Sequence, residues 1–285
     1  MSNLICAGAA FGVNEPTPDA GRAVQAPEPA EMRVRFLPGE LPVVQGTIAG
    51  RPGQNILIDT GTSPSVVDAR LAASLGLETS AATLQVFNGT LPVPGVWIPD
   101  LQIGPIRKRE VPAIVRDLSY FRRDYGISVA AVVGLDVFGE LSFRLDYRAK
   151  RLVFGNVQPE GIAVPADAEW PLLVVNVTMQ KQRLRLLVDT GAAGLILFGK
   201  RVDAQRMRFI TARRASADNL GGRVNATAVR DVDMRIQGKR VHAETAFLVR
   251  DSGELKEFDG LLGIGNLGFR ALSYDRQSRT VYLQR

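Results

Sequence analysis

The residues with the clearest chemical potential are two aspartates. Asp59 follows the strand-like run Ile56-Leu57-Ile58 and opens Asp59-Thr60-Gly61-Thr62; Asp189 follows Leu186-Leu187-Val188 and opens Asp189-Thr190-Gly191-Ala192, 130 residues later. In each copy three apolar residues suited to a buried strand lead into the acid. The glycine two positions on permits a tight turn that presents the carboxylate at the strand's end. A single Asp-Thr-Gly is usually an ordinary turn. Two copies are different if the fold brings them together, because carboxyl groups about 3 Å apart cannot both ionise cheaply and therefore share one proton. The ionised member can take a proton from a water while the protonated member donates to a carbonyl oxygen. The chemistry available to such a pair is amide hydrolysis without metal or covalent intermediate.

The elements that would position the acids are duplicated with them. Val132-Val133-Gly134 recurs as Leu261-Leu262-Gly263 at an offset of 129, and at that offset Gly139 meets Gly268, Asp146 meets Asp275 and Leu152 meets Val281. Ala113-Ile114-Val115-Arg116-Asp117 likewise matches Phe247-Leu248-Val249-Arg250-Asp251. Two copies are too few for an open solenoid. Two similar halves facing each other across a pseudo-twofold axis would place equivalent residues beside it, and Asp59 and Asp189 are the obvious occupants.

These residues resemble those of the pepsin and retropepsin-like aspartic proteases, over roughly positions 41 to 285. With two similar halves and no cysteine pair, the chain looks most like a bacterial tandem of retropepsin-type units. The resemblance implies an all-β fold of two pseudo-twofold-related closed β-barrel lobes with short helices, no cofactor and no metal. It also implies a peptide or protein substrate in the cleft between the lobes. Asp59 and Asp189 would be catalytic, and Thr60 and Thr190 would hydrogen-bond across the axis to the opposite lobe's backbone. Gly61 and Gly191 would shape the turns, and Thr62 would bond the outer oxygen of its aspartate, which Ala192 cannot do. Gly134 and Gly263 would lie beneath the turns, where a side chain would clash. The flaps over the cleft would be built on Phe87, Asn88 and Gly89 in the first lobe and on Asn219 and Gly221 in the second, neither with the tyrosine of pepsins.

The order of elements follows from local pattern. Residues 1–40 read as an extended lead-in punctuated by Pro16, Pro18 and Pro38, with order beginning near Leu41. The first lobe is expected over 41–155, a linker over 156–168 and the second lobe over 169–285. Within the first lobe, Leu41 to Ile48 and Gln54 to Ile58 read as strands. Ser65 is expected to cap a helix carrying Val67, Leu71 and Leu75, with Gly76 as its stop. Asn88-Gly89 reads as a two-residue hairpin turn.

Composition bounds the alternatives. The chain has 285 residues, 28 glycines, 16 prolines and a net charge of +6, the balance of a globular, strand-rich protein. Its arginine clusters lack interleaved aromatics, so they read as solvated faces and not as a nucleic-acid surface. There is no apolar run long enough to span a bilayer, and a monomer is expected. The run Leu4 to Val13 reads either as the end of an export signal, which points to an exported or periplasmic protein, or as a loose tail, which leaves the cytoplasm. Cys6 is the single cysteine and His242 the single histidine; His242 reads as an exposed strand residue and not as a nucleophile's base. Asp136 reads as a helix-start or surface acid, and Asp146 and Asp275 as hairpin-turn residues. Two other functions compete. One is a non-catalytic module of the same fold that clasps an extended peptide. The other is an actin-like ATPase, which also repeats Asp-x-Gly-Thr after an apolar strand but alternates strands with long helices.

Overall fold

The computed structural model describes residues 3–6, 30–155, 157–168, 171–202 and 212–285. Most of the export-like run, most of the lead-in and part of the arginine-rich run after Arg201 lie outside the described residues.

Each half closes into a barrel. In the first, strands Leu41–Ile48, Arg51–Ile58, Ala131–Val133, Ser65–Asp68, Ile106–Arg116 and Gly89–Ile103 pair in that order, and the last returns to the first through Thr47↔Gln102 and Ile48↔Leu101. In the second, Gly222–Ile236, Val174–Met179, Gln182–Val188, Gly260–Leu262, Leu195–Phe198 and Lys239–Val249 form the equivalent ring, closed by the long pairing of the last strand with the first. Closure leaves no edge within either ring. The fold is all-β and bilobal, as the resemblance implies. Among the described residues the strand-helix alternation of an actin-like ATPase is not present.

A six-stranded sheet joins the lobes. It runs Ile162–Pro165, Thr280–Gln284, Ala271–Asp275, Phe143–Asp146, Arg151–Phe154, Ala30–Arg33. At its centre Arg144 pairs with Ser273 in antiparallel register. These are the same position in the two repeats, so the pseudo-twofold axis passes between them. Asp146 and Asp275 sit at the hairpin turns as expected, accepting hydrogen bonds from Ala149 N at 2.7 Å and from Gln277 N at 3.1 Å.

Local expectations differ from the structure in four places. Strands begin before Leu41, at Asn3–Cys6, Ala30–Arg33 and Arg35–Leu37. Ala30–Arg33 is a short edge strand with two of its four residues exposed, so its sequence shows little apolar periodicity. Ser65 does not cap a helix: Ser65–Asp68 is a strand with its first three residues buried, and the helix Ala69–Ser74 is capped by Asp68, whose side chain accepts from Arg70 N and Leu71 N. β-branched Val66 and Val67 between two barrel strands decide this. The first flap turns on Phe87 and Asn88, one residue earlier than expected, since Val86 and Gly89 are the closing pair. A helix at Ser119–Tyr125, with Phe121 as its buried residue, was not anticipated. Gly76 ends its helix in the left-handed conformation, φ 63°, as expected.

The two flaps lock into each other's lobes. Phe87 at the first tip is buried against Phe198 of the second barrel, ring centroids 5.5 Å apart, and Phe198 stacks in turn on Phe258 at 5.7 Å. Leu220 at the second tip is buried in an apolar cluster of the first lobe with Leu84, Val86 and Val66. Ser252 N donates to Phe87 O at 2.8 Å, and Asn219 Nδ2 donates to Asn88 Oδ1 at 2.9 Å. Leu220→Ala is therefore expected to lower the stability of the whole chain by about 2–4 kcal/mol, read as a lower denaturant midpoint in an unfolding titration. A midpoint unchanged from wild type would show that the tip does not hold the lobes together.

Candidate active site

Each aspartate is placed by the same short construction. Arg51–Ile58 runs parallel to Ala131–Val133, and the pair Ile58↔Val133 ends with Asp59 N donating to Val133 O at 2.9 Å. Gln182–Val188 runs parallel to Gly260–Leu262, and Val188↔Leu262 ends with Asp189 N donating to Leu262 O at 3.1 Å. The aliphatic pair before each glycine is thus the strand that fixes where the acid emerges. Beneath the turns, a side chain on Gly134 would overlap the carbonyl oxygen of Thr62, and one on Gly263 would overlap that of Ala192. Gly134 is extended, at φ −105°, so its requirement is close approach and not backbone freedom.

The turns are latched to each other across the axis by four hydrogen bonds. Thr60 Oγ1 donates to Val188 O at 2.7 Å and accepts from Thr190 N at 3.1 Å. Thr190 Oγ1 donates to Ile58 O at 2.8 Å and accepts from Thr60 N at 3.1 Å. Both hydroxyls are buried and bond only to the other half, so the latch exists only when both lobes are folded. It confirms the cross-axis bonding the resemblance implies for these threonines.

The latch brings the two carboxyl groups into hydrogen-bonding contact, and both side chains are fully buried. Gly61 leaves room for Asp189: a Cβ there would stand 2.5 Å from its carboxyl carbon. Asp59 accepts from Gly61 N at 2.7 Å through Oδ1 and from Thr62 Oγ1 at 2.6 Å through Oδ2, and also from Gly191 N. Loss of water pushes the Asp59 carboxyl above its ordinary range, and the bonds from Asp189, Thr62, Gly61 and Gly191 offset this only in part.

A family model of aspartyl proteases matches residues 44–137 and, a second time, residues 175–265. The chain belongs to the aspartyl protease family. Its two matched segments are the two barrels, which makes it a tandem of retropepsin-like lobes. No curated protein matches the chain.

The flap residues are distributed differently from the expectation. Phe87 turns away from the cleft into the second lobe, and Asn219 is buried, its Oδ1 accepting from Gly221 N at 2.7 Å. Asn88 and Gly89 stay at the surface of the tip. Gly221 must be small because a Cβ would come within 2.8 Å of Val86 Cγ2. His242 is exposed on its strand, with Nδ1 3.2 Å from Asp233 Oδ1, as expected. Among the described residues no group of His, Cys, Asp and Glu gathers as a metal site, and no helix is long and apolar enough to cross a membrane.

Sequence reasoning missed a bracket behind the first turn. Asp136 accepts from Ser65 N at 3.0 Å and from Ser65 Oγ at 2.9 Å; Ser65 Oγ accepts from Gly134 N at 3.1 Å; Leu135 N donates to Thr62 O at 3.2 Å. Asp136 stands in the first turn of the short helix Leu135–Phe138, the helix-start place expected of it, and is not a surface acid: its carboxylate supports the turn that aims Thr62 at Asp59. The repeat put Gly265 at its equivalent, which hid the role; the second lobe instead uses Asn266, whose Nδ2 donates to Ala193 O at 2.8 Å. Burial raises the Asp136 carboxyl to about 6, against the bonds from Ser65 and the nearby Lys108 ammonium.

A carboxyl raised on folding favours the folded state most below its ordinary value and loses that contribution as pH rises through the raised one. For Asp136 the window is about pH 4 to 6. Asp136→Asn is expected to shrink the drop in melting temperature between pH 4 and pH 7, measured by calorimetry beside wild type; equal drops in the two proteins would refute this assignment. Thr60→Val should cost about 2–4 kcal/mol, because it leaves Val188 O and Thr190 N without their buried partner, whereas Thr60→Ser keeps the hydroxyl and most of the stability.

Proposed function

We propose that the protein is an endopeptidase in which Asp59 and Asp189 activate one water between them. The observation that carries this reading is the pair of fully buried carboxyl groups in hydrogen-bonding contact at the junction of two equivalent lobes. Asp59, which accepts from Thr62 Oγ1, Gly61 N and Gly191 N, is the member assigned to take the water's proton, since these donors favour its charged form against the cost of burial. Asp189, whose turn has Ala192 in place of that hydroxyl, carries the shared proton and gives it to the substrate's carbonyl oxygen as the water oxygen bonds to the carbon. The resulting gem-diol returns a hydroxyl proton to Asp189 while Asp59 delivers its own to the amide nitrogen. The C–N bond then breaks, and the pair regains its starting single proton. No outside acid or base is consumed.

Substrate entry requires the tips at Phe87 and Leu220 to part, since both aspartates are shut off from solvent while the tips are docked. The substrate is accordingly a chain that can lie extended between the barrels once the tips lift.

The test is cleavage of a mixed peptide library by wild type, Asp59→Asn and Asp189→Asn at several pH values, with products read by mass spectrometry. Wild type should cut, and each variant should lose about 10²–10⁴-fold in rate. A transition-state mimic bearing a hydroxyl in place of the attacking water should inhibit, and chelators should leave the rate unchanged. Full activity in either variant would overturn the mechanism. Tight binding of extended peptides by wild type without any cleavage would favour a non-catalytic clasp.

A further inference from the structure

A cavity of about 1350 Å³ opens between the lobes, reaching from Ala193, just past the Asp189 turn, to the outer part of the second flap. Its wall on the first-lobe side carries Arg123 and Asp124, at the end of the helix Ser119–Tyr125. On the second-lobe side the strands Ala212–Asn219, Gly222–Ile236 and Lys239–Val249 line it. Register decides which of their side chains face inward. Arg213 pairs with Ala228, and Ala228 with Phe247, so these three share one face, with Ala215 and Thr245 one pleat away on the same side. All five line the cavity. Arg214 and Glu244 also border it, but alternation puts them on the opposite faces of their strands, at its rim.

The charges within the groove are unevenly matched. Asp124 is held by Arg123, which donates through Nε at 2.9 Å and Nη2 at 2.8 Å. Nearby Asp218 is held by Arg223 at 3.0 Å. Among the described residues Arg213 forms no salt bridge, and its neighbours on the same face include Ala215, Ala228 and Phe247.

The pseudo-twofold supplies an internal control. In the first flap the same register, counted back from the closing pair at the tip, aligns Ser80 with Gly95 and Gly95 with Ile114. The place of Arg213 is thus taken by Ser80 and that of Arg214 by Ala81. The two arms of the cleft are built alike, and only one flap strand is cationic.

The strand bearing Arg213 also has an edge that accepts an extended chain. The protein's own Asn3–Cys6 adds to it in parallel, from Ser216 to Asn219. Among the described residues no strand pairs with that edge along Ala212–Ala215, beside Arg213.

We propose that this arm is a specificity site for an acidic side chain, Asp or Glu, of an extended peptide lying along the second flap strand, with Arg213 as the residue that reads it. The proposal rests on the endopeptidase reading for its consequence, which is preference for an acidic residue on one side only of the scissile bond. A carboxylate there meets an unpaired guanidinium over an apolar floor, whereas a basic residue meets like charge.

The experiment uses the full chain and one peptide that wild type cleaves, varied to Glu, Ala or Lys at each of several positions on both sides of the bond. At one position, on one side, Glu should raise kcat/KM roughly five- to tenfold over Ala, mainly through KM, and Lys should lower it. Arg213→Ala should abolish the difference between the Glu and Ala peptides, Arg213→Lys should retain part of it, and added salt should flatten it. Cleavage without acidic preference, or a preference that survives Arg213→Ala, overturns the specificity site and leaves the endopeptidase standing. To separate the two readings, fluorescent Glu and Ala versions are titrated onto Asp59→Asn. Tighter binding of the Glu version, lost on adding Arg213→Ala, supports the acidic site even where no cleavage is seen, and equal binding refutes it.

Discussion

A carboxyl pair stripped of water is tolerable only while one proton lies between its members, and everything in this protein follows from holding that arrangement. Burial disfavours charge on both acids, and the donors aimed at Asp59 offset part of that cost. Those donors come from both lobes, Gly61 and Thr62 from one and Gly191 from the other. The charge is therefore stabilised by the interface and not by either barrel separately. The threonine latch has the same property, since each buried hydroxyl is satisfied only by the opposite turn.

The duplication makes this assembly possible and departures from it make it directional. Strict symmetry would give the two acids identical surroundings and no reason to prefer one as base. Three polar residues of the first lobe, Thr62, Ser65 and Asp136, form a connected bracket behind Asp59. Their equivalents are Ala192, Leu195 and Gly265. The second turn is packed where the first is hydrogen-bonded, and the imbalance reaches the dyad through one hydroxyl. A second departure, at the outer flap strands, gives the cleft a cationic arm and a neutral one. On the proposed reading, the departures at the centre separate proton roles and those at the periphery set side-chain preference.

The flaps show how a closed cleft is held without a disulfide. Each tip places its apolar residue, Phe87 or Leu220, in the other lobe. Apolar burial is non-directional and can be broken and remade, which suits the lifting that the proposed substrate entry requires. The polar contacts at the tips, between Asn219 and Asn88 and between Thr90 and Glu254, add registration on top of that burial.

How much of this was legible in the chain depends on the range of each interaction. Asp59, Asp189, the glycines beneath them and the threonines beside them sit in contiguous runs repeated at nearly constant spacing, so the fold class and the centre of the site were open to a reader of residues alone. Strand or helix at Ser65 was not. The four-residue spacing of Val67, Leu71 and Leu75 favoured helix, and only the barrel strands on either side of Val66 and Val67 gave their branched side chains a better place. Asp136 was obscured for a related reason: its partner Ser65 is 71 residues away and its repeat equivalent is a glycine. Sequence determined which groups were duplicated, because duplication leaves a linear trace. Tertiary structure decided which of them touch, where Phe87 points and which face of its strand carries Arg213, because these follow from strand register and from packing across the two lobes, and neither has a local signature.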